Sequence, residues 1–157
     1  MYIYKKLQID LFSISILNIL LMNENKDMCL DDFTFKHNIY TRFRDIDAFL
    51  HVNNAVFLSY FEDARKTFID RWKVNLSDKS LIVASIKIDY KKQLKHPSEV
   101  NIGQRVSRIG KTSFDILSVM FFEGSEISRA TTTIVCYNFK SNKSIPVYKE
   151  IKNDFNK

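Results

Sequence analysis

Two aspartates and a histidine fall within seven residues of one another in the stretch Arg42-Phe43-Arg44-Asp45-Ile46-Asp47-Ala48-Phe49-Leu50-His51-Val52-Asn53-Asn54. A carboxylate can attack an acyl carbon or take a proton from water, and a histidine can hold or pass on that proton. Just past this stretch the apolar residues take up a helical period, so the acids occupy a loop that runs into a helix N-terminus. The first N–H groups of a helix lack intrahelical partners and carry the positive end of its dipole. They bind anions and can stabilise the oxyanion that forms when a carbonyl is attacked. The same pattern also fits plain capping, in which acids merely close the turn before a helix.

The elements that would hold this loop can be read on either side of it. Phe33 to Arg44 alternates, with Phe33, Phe35, Ile39, Thr41 and Phe43 on one face and Lys36, Asn38, Arg42 and Arg44 on the other, which predicts a half-buried strand. From Asn54, the residues Phe57, Phe61, Ala64, Phe68 and Trp72 recur at helical spacing with Tyr60 and Ile69 on the flanks. Asn53 or Asn54 suits the N-cap, and the helix is expected to end near Trp72. Four strands are predicted after it: Leu81–Lys91, Glu99–Ile109, Lys111–Glu123 and Ile127–Phe139, the last two joined by a turn at Glu123-Gly124-Ser125-Glu126. Strand, long helix, then four antiparallel strands reads as α+β, one helix against one sheet. Such a sheet keeps an uncovered edge that a second copy would close.

Bulk composition narrows the class. With 157 residues, 45% hydrophobic and 13% aromatic, the chain has enough apolar mass for one core and none of the marks of disorder. The net charge is +6, and residues 1–32 hold three Lys against five Asp and Glu, so the basic excess lies in residues 33–157. A basic body suits a polyanion such as nucleic acid, coenzyme A or an acidic carrier protein, and equally suits an ordinary solvated surface. No aromatic–basic recognition motif accompanies the charge, so nucleic acid is not expected as a partner. The two cysteines, Cys29 and Cys136, make no disulfide framework or C-x-x-C pair, and Cys136 reads as a small buried side chain. His37, His51 and His96 have no metal-ligand spacing, and no metal or cofactor is expected.

Leu11 to Met22 is an apolar run of 12 residues preceded by Lys5 and Lys6. It is too short to span a bilayer, and Asn23, Glu24 and Asn25 follow where a signal peptide would place small residues. Residues 1–30 are expected to be an extension outside the fold, or an upstream start with Met22 and Met28 as alternatives. A weak membrane or partner anchor ranks next, and a signal peptide last. Residues 31–157 would form the domain, without stable membrane insertion and in the cytoplasm.

The string DIDAFLHVNNAVFLSYFEDAR, Asp45 to Arg65, resembles the D-x-D-x-x-x-H-V-N-N-x-x-Y-x-x-Y-x-E-x-x-R signature of the 4-hydroxybenzoyl-CoA thioesterase-like acyl-CoA thioesterases, which have the hot-dog fold. Ile88-Asp89-Tyr90-Lys91-Lys92 and Val106-Ser107-Arg108-Ile109-Gly110-Lys111-Thr112-Ser113-Phe114 are similar to that family's I-D-Y/F-x-x-P and V-x-R-I-G-x-S-S-F segments. The resemblance covers residues 33–152. It implies a five-stranded antiparallel sheet around one long central helix, hydrolysis of an acyl-coenzyme A thioester and a homodimer or homotetramer. It places the catalytic nucleophile or general base at Asp47 and the carbonyl-polarising backbone N–H at Asn54.

His51 matches a histidine that plant acyl-carrier-protein thioesterases use, but their asparagine two residues after the aspartate is Phe49 here, which favours coenzyme A thioesters. Glu62 matches the catalytic glutamate of another hot-dog branch. The bottom-up reading of Glu62 is an ion pair with Arg65 or Lys66. Asp45 reads as a hydrogen-bond acceptor that fixes the loop, and His51 as either catalytic or structural. Phe57 and Tyr60 are expected in the acyl channel or the core. Lys91, Lys92, Arg108 and Lys111 are candidates for the nucleotide phosphates. Gln93 and Leu94 stand where the family usually has a proline. A non-hydrolytic acyl-CoA or acyl-carrier-protein binding module, or an acyl-carrier-protein thioesterase, is the alternative on the same fold.

Overall fold

The computed structural model describes residues 28–74 and 79–156. The run Leu11–Met22 and the rest of residues 1–27 lie outside the described residues. In chain order the elements are β1 (Phe35–Tyr40), α1 (Asn54–Asp70), β2 (Lys79–Tyr90), β3 (Glu99–Ile109), β4 (Ser113–Phe122), β5 (Ser125–Asn138), β6 (Lys143–Ser144) and α2 (Lys149–Phe155). The sheet is antiparallel throughout, ordered β1-β3-β4-β5-β2, with the two-residue β6 pairing with β5. This is the α+β arrangement of one long helix on one sheet that the sequence predicts, with β6 and α2 added at its C-terminal end.

α1 forms where the period predicts it. Asn53 caps it, its side chain accepting the Ala55 N–H at 2.9 Å. Phe57, Tyr60, Phe61, Ala64 and Phe68 are all buried, and Trp72 remains in the core although the helix ends two residues before it. Burying each of these aromatic side chains contributes about 1.5–3 kcal/mol, which holds the helix against the sheet more firmly than propensity could. Two clusters result. Phe57, Tyr60, Phe61 and Ala64 pack on Leu94, Val100, Ile102, Met120 and Ile127. Phe68 and Trp72 pack on Val106, Phe114, Ile116, Ile134, Cys136 and Ile151.

Three local expectations change. β1 stops at Tyr40 rather than Arg44. The Thr41 N–H donates to the Ser98 carbonyl at 2.9 Å, its hydroxyl accepts the Ser98 N–H at 2.9 Å, and a 3-10 turn at Phe43–Asp45 follows. Phe43, expected on the buried face, is therefore 78% exposed. Lys111 falls in the β3–β4 turn, because β4 begins at Ser113. The β4–β5 turn is tighter than predicted. Glu123 (φ 49°) and Gly124 (φ 75°) form a two-residue hairpin turn with both residues left-handed, so β5 starts at Ser125. At the chain's start, Met28 and Leu30 pack against Phe33, Val119 and Phe121. Among the described residues no helix is long and apolar enough to cross a membrane.

Candidate active site

The loop between β1 and α1 is tied down along its whole length. Ile46 and Val52 form an isolated antiparallel bridge, and the Asp47 N–H donates to the His51 carbonyl at 2.8 Å. The Val52 N–H reaches the Leu94 carbonyl at 2.7 Å, fastening the loop to the segment after β2. Asp45 joins it to the helix. Its main-chain carbonyl accepts the Asn53 N–H at 2.9 Å, and its Oδ2 accepts the Arg42 N–H at 2.8 Å, Arg42 Nε at 3.2 Å and the Tyr60 hydroxyl at 2.5 Å. Burial alone would raise the Asp45 carboxyl, but the hydrogen bonds from Tyr60 and Arg42 prevail and hold it below the usual carboxylate range. Burial and the adjacent Asp45 together push the Tyr60 hydroxyl well up. Asp45 thus has the loop-fixing role that its position suggests.

Asp47 is held differently. Its Oδ1 accepts the Phe49 N–H at 2.8 Å and the His51 N–H at 3.3 Å, whereas its Oδ2 has no hydrogen-bond partner among the described residues. The turn carries Leu50 at φ 62°, in the left-handed region that branched side chains rarely enter, and it leaves Phe49 80% and Leu50 68% exposed.

Asp47 and Asn54 line the same cleft, about 670 Å³ in volume. His51, Phe57, Lys91 and Lys92 line it too, together with Phe49, Val52, Asn53, Tyr90 and Gln93. The floor comes from the first turn of α1 and the far wall from the end of β2. Of the first helical amides, Ala55 N–H is taken by the Asn53 side chain and Val56 N–H by the Asn53 carbonyl at 2.8 Å. The Asn54 N–H makes no such bond among the described residues, which leaves it as the uncovered donor of the turn.

Four of the ten site residues named from the sequence lie elsewhere. Tyr60 is buried in the core on Asp45. Glu62 is exposed on α1 and pairs with Arg65 at 3.3 Å, the ion-pair reading of that residue. Arg108 is engaged by both oxygens of Asp115, at 2.5 and 2.9 Å, and Lys111 is exposed in the β3–β4 turn. Of the lysines in the cleft, Lys91 pairs with Glu126 at 2.8 Å, and Lys92 has no carboxylate partner among the described residues. Tyr90 was not singled out as a site residue, although it immediately precedes Lys91. Its hydroxyl donates to the Asn54 carbonyl at 3.0 Å and its ring meets Phe57 edge-on at 5.5 Å. Among the described residues no group of three or more His, Cys, Asp or Glu side chains is placed to hold a metal ion.

With this fold and cleft in view, the matches to other proteins fall into place. The family model described as the Thioesterase-like superfamily matches residues 41–155, from just before the acidic loop to the end of α2, and the chain belongs to that family. Among curated proteins it is 29% identical over 86 residues to the uncharacterized protein YsmA of Bacillus subtilis, spanning 54% of this chain and 58% of YsmA. It is 24% identical over 114 residues to the long-chain acyl-CoA thioesterase FadM of Escherichia coli, spanning 68% of this chain and 86% of FadM. Among solved structures it is similar to a thioesterase of Thermus thermophilus complexed with coenzyme A and Zn, at 26% identity and a TM-score of 0.68, covering 80% of this chain and 99% of that one.

Proposed function

We propose that the protein hydrolyses acyl-coenzyme A thioesters to the free acid and coenzyme A. One observation carries the reading: Asp47 Oδ2 and the first-turn Asn54 N–H, neither with a hydrogen-bond partner among the described residues, belong to residues that line the same cleft. The thioester carbonyl oxygen sits at the Asn54 N–H, which takes up negative charge as the carbon becomes tetrahedral. Asp47 either attacks that carbon, giving an acyl-enzyme anhydride that water then opens, or removes a proton from the water that attacks. In both routes the C–S bond breaks and coenzyme A departs as thiolate. Lys92, which has no carboxylate partner among the described residues, gives the cleft positive charge suited to a nucleotide's phosphates. FadM acts on long-chain acyl-CoA and the Thermus thermophilus thioesterase was solved with coenzyme A, which supports coenzyme A as the leaving group.

The assembly we propose is a homodimer or a larger homo-oligomer. Within one chain, β2 pairs with β5 on one side only, and Ile82 and Val83 are exposed on it. A second copy would cover that edge.

The test is release of free thiol from a panel of short-, medium- and long-chain acyl-CoAs. Wild type is expected to turn over at least one of them, and Asp47→Asn to lose about 100-fold or more in kcat. The asparagine keeps an Oδ1 acceptor for the Phe49 and His51 amides, so the loop is retained. An Asp47→Asn enzyme as active as wild type removes the assigned role, and tight acyl-CoA binding without turnover reassigns the protein to a binding module.

A further inference from the structure

We infer that Tyr90 is a positioning residue, a strut from the sheet that sets the direction of the Asn54 amide. This inference rests on the proposed hydrolysis for its kinetic part and on geometry alone for the rest. Tyr90 is the last residue of β2, and its backbone is fixed there from several sides. It stands opposite Ser128 in the register with β5, the Ser128 hydroxyl donates to the neighbouring Asp89 carbonyl at 2.9 Å, and the Lys91 and Lys92 amides share the Ile127 carbonyl at 2.9 and 3.1 Å. From this rigid base the side chain reaches the first turn of α1. It lays its ring edge-on to Phe57 and donates its hydroxyl proton to the Asn54 carbonyl.

A helical carbonyl at the first position already has a partner one turn on, so the Tyr90 hydroxyl is not needed to satisfy it. What the second bond adds is orientation, because it ties the Asn54–Ala55 peptide to the sheet and thereby limits rotation about the Asn54 Cα, across which the Asn54 N–H is attached. The loop side of the same residue pair is tied independently, by the Asn53 N–H on the Asp45 carbonyl and the Asn53 side chain on the Ala55 N–H. The Asn54 N–H therefore projects from a turn clamped from both the loop and the sheet. An oxyanion donor acts through its direction as much as its presence, since its value lies in being aimed before the charge develops. Of the two clamps, the sheet-side one is made by a single hydroxyl that can be deleted without disturbing the ring contact with Phe57.

The experiment is Tyr90→Phe in the full chain, read in two ways. In 1H–15N spectra of the free protein, the Asn54 and Ala55 amide resonances are expected to move, while those from Phe61 to Asp70 stay in place. In hydrolysis of the best acyl-CoA of the panel, kcat is expected to fall about tenfold with KM within about twofold, because ground-state binding is untouched while the transition-state donor is misaimed. A variant whose Asn54 and Ala55 resonances coincide with wild type overturns the inference whether or not the protein is active. So does an unchanged kcat, or a loss confined to KM. If wild type hydrolyses no acyl-CoA, the proposed function fails, and the amide resonances still decide the role of Tyr90.

Discussion

At its first turn α1 leaves the Asn54 amide without a partner among the described residues, beside the cleft, whereas its last turn is closed over. The Phe68 carbonyl accepts Arg71 Nε at 3.2 Å, the Ile69 and Asp70 carbonyls accept the Trp72 and Lys73 amides at 3.0 and 3.2 Å, and Arg71 is pinned to Asp154 of α2 at 3.0 Å. The Arg71 guanidinium also lies 4.2 Å from the Phe68 ring centroid, where it suits both the ring face and the negative end of the helix dipole. Beyond it Trp72, Phe114, Val147 and Ile151 fill the space apolar against apolar. At the other end Phe49 and Leu50 are exposed and one Asp47 oxygen has no partner among the described residues. One helix thus has a sealed end, which supplies stability, and an open end, whose unsatisfied groups are those that chemistry can use. The position proposed for the reaction follows from which orphan groups the fold declines to cover.

This contrast predicts that damage at the two ends will read out differently. Phe68→Ala at the sealed end is expected to cost about 3–5 kcal/mol, measured as a lowered urea midpoint, because Phe68 is fully buried among packed rings. The kcat of the fraction that remains folded should change by less than about twofold. A tenfold loss in that folded fraction would show the two ends to be coupled and break the comparison.

Asp45→Asn at the open end is expected to cost less, about 1–3 kcal/mol, since the amide still accepts one hydrogen bond but loses the charge that Arg42 and Tyr60 address. The sign of its pH dependence is set. The Asp45 carboxyl lies below its unfolded value, so its contribution is full above roughly pH 4–5 and is lost as pH falls through the lower folded value. The gap between wild type and variant in urea midpoint should therefore narrow on acidification below about pH 4; a gap that widens would contradict the assignment. Asp115 and Glu126, also held low, act on the same acid limb in both proteins.

Asn53→Ala is the mildest change, at about 1 kcal/mol for the lost cap. It also removes a loop-side tie on the turn that carries the Asn54 N–H, so inorganic phosphate or coenzyme A should bind more weakly than to wild type as the melting temperature drops. Unchanged anion binding would show that the cap satisfies the turn without orienting it.

Much of the molecule was legible from local patterns. The helical recurrence of Phe57, Phe61, Ala64 and Phe68 determined α1 and its buried face, since burial at that spacing is possible on one side of a helix only. β3 forms at Glu99–Ile109, the bounds predicted. The loop that carries Asp45, Asp47 and His51 was recognisable because a helix cap and an acidic turn both leave chemical marks in a few adjacent residues. Phe43 was misplaced because alternation cannot see a hydrogen bond from Thr41 to Ser98, a residue more than fifty positions away, that ends the strand early.

The identity of the cleft's far wall belonged to tertiary structure. Tyr90, Lys91 and Lys92 meet Asp47 and Asn54 only because the end of β2 reaches the first turn of α1, and nothing in their own neighbourhood marks that meeting. The fate of each charge was decided there as well. Arg108 is paired with Asp115 across the β3–β4 register and Lys91 shares Glu126 of β5 with Arg129, while Arg65 is buried on a face where its polarity alone would place it in solvent. Local sequence determines the period of an element and the chemistry of a loop because both depend on near neighbours. Which donors and charges stay free depends on partners brought in from distant parts of the chain, and only the packed sheet and helix can settle that.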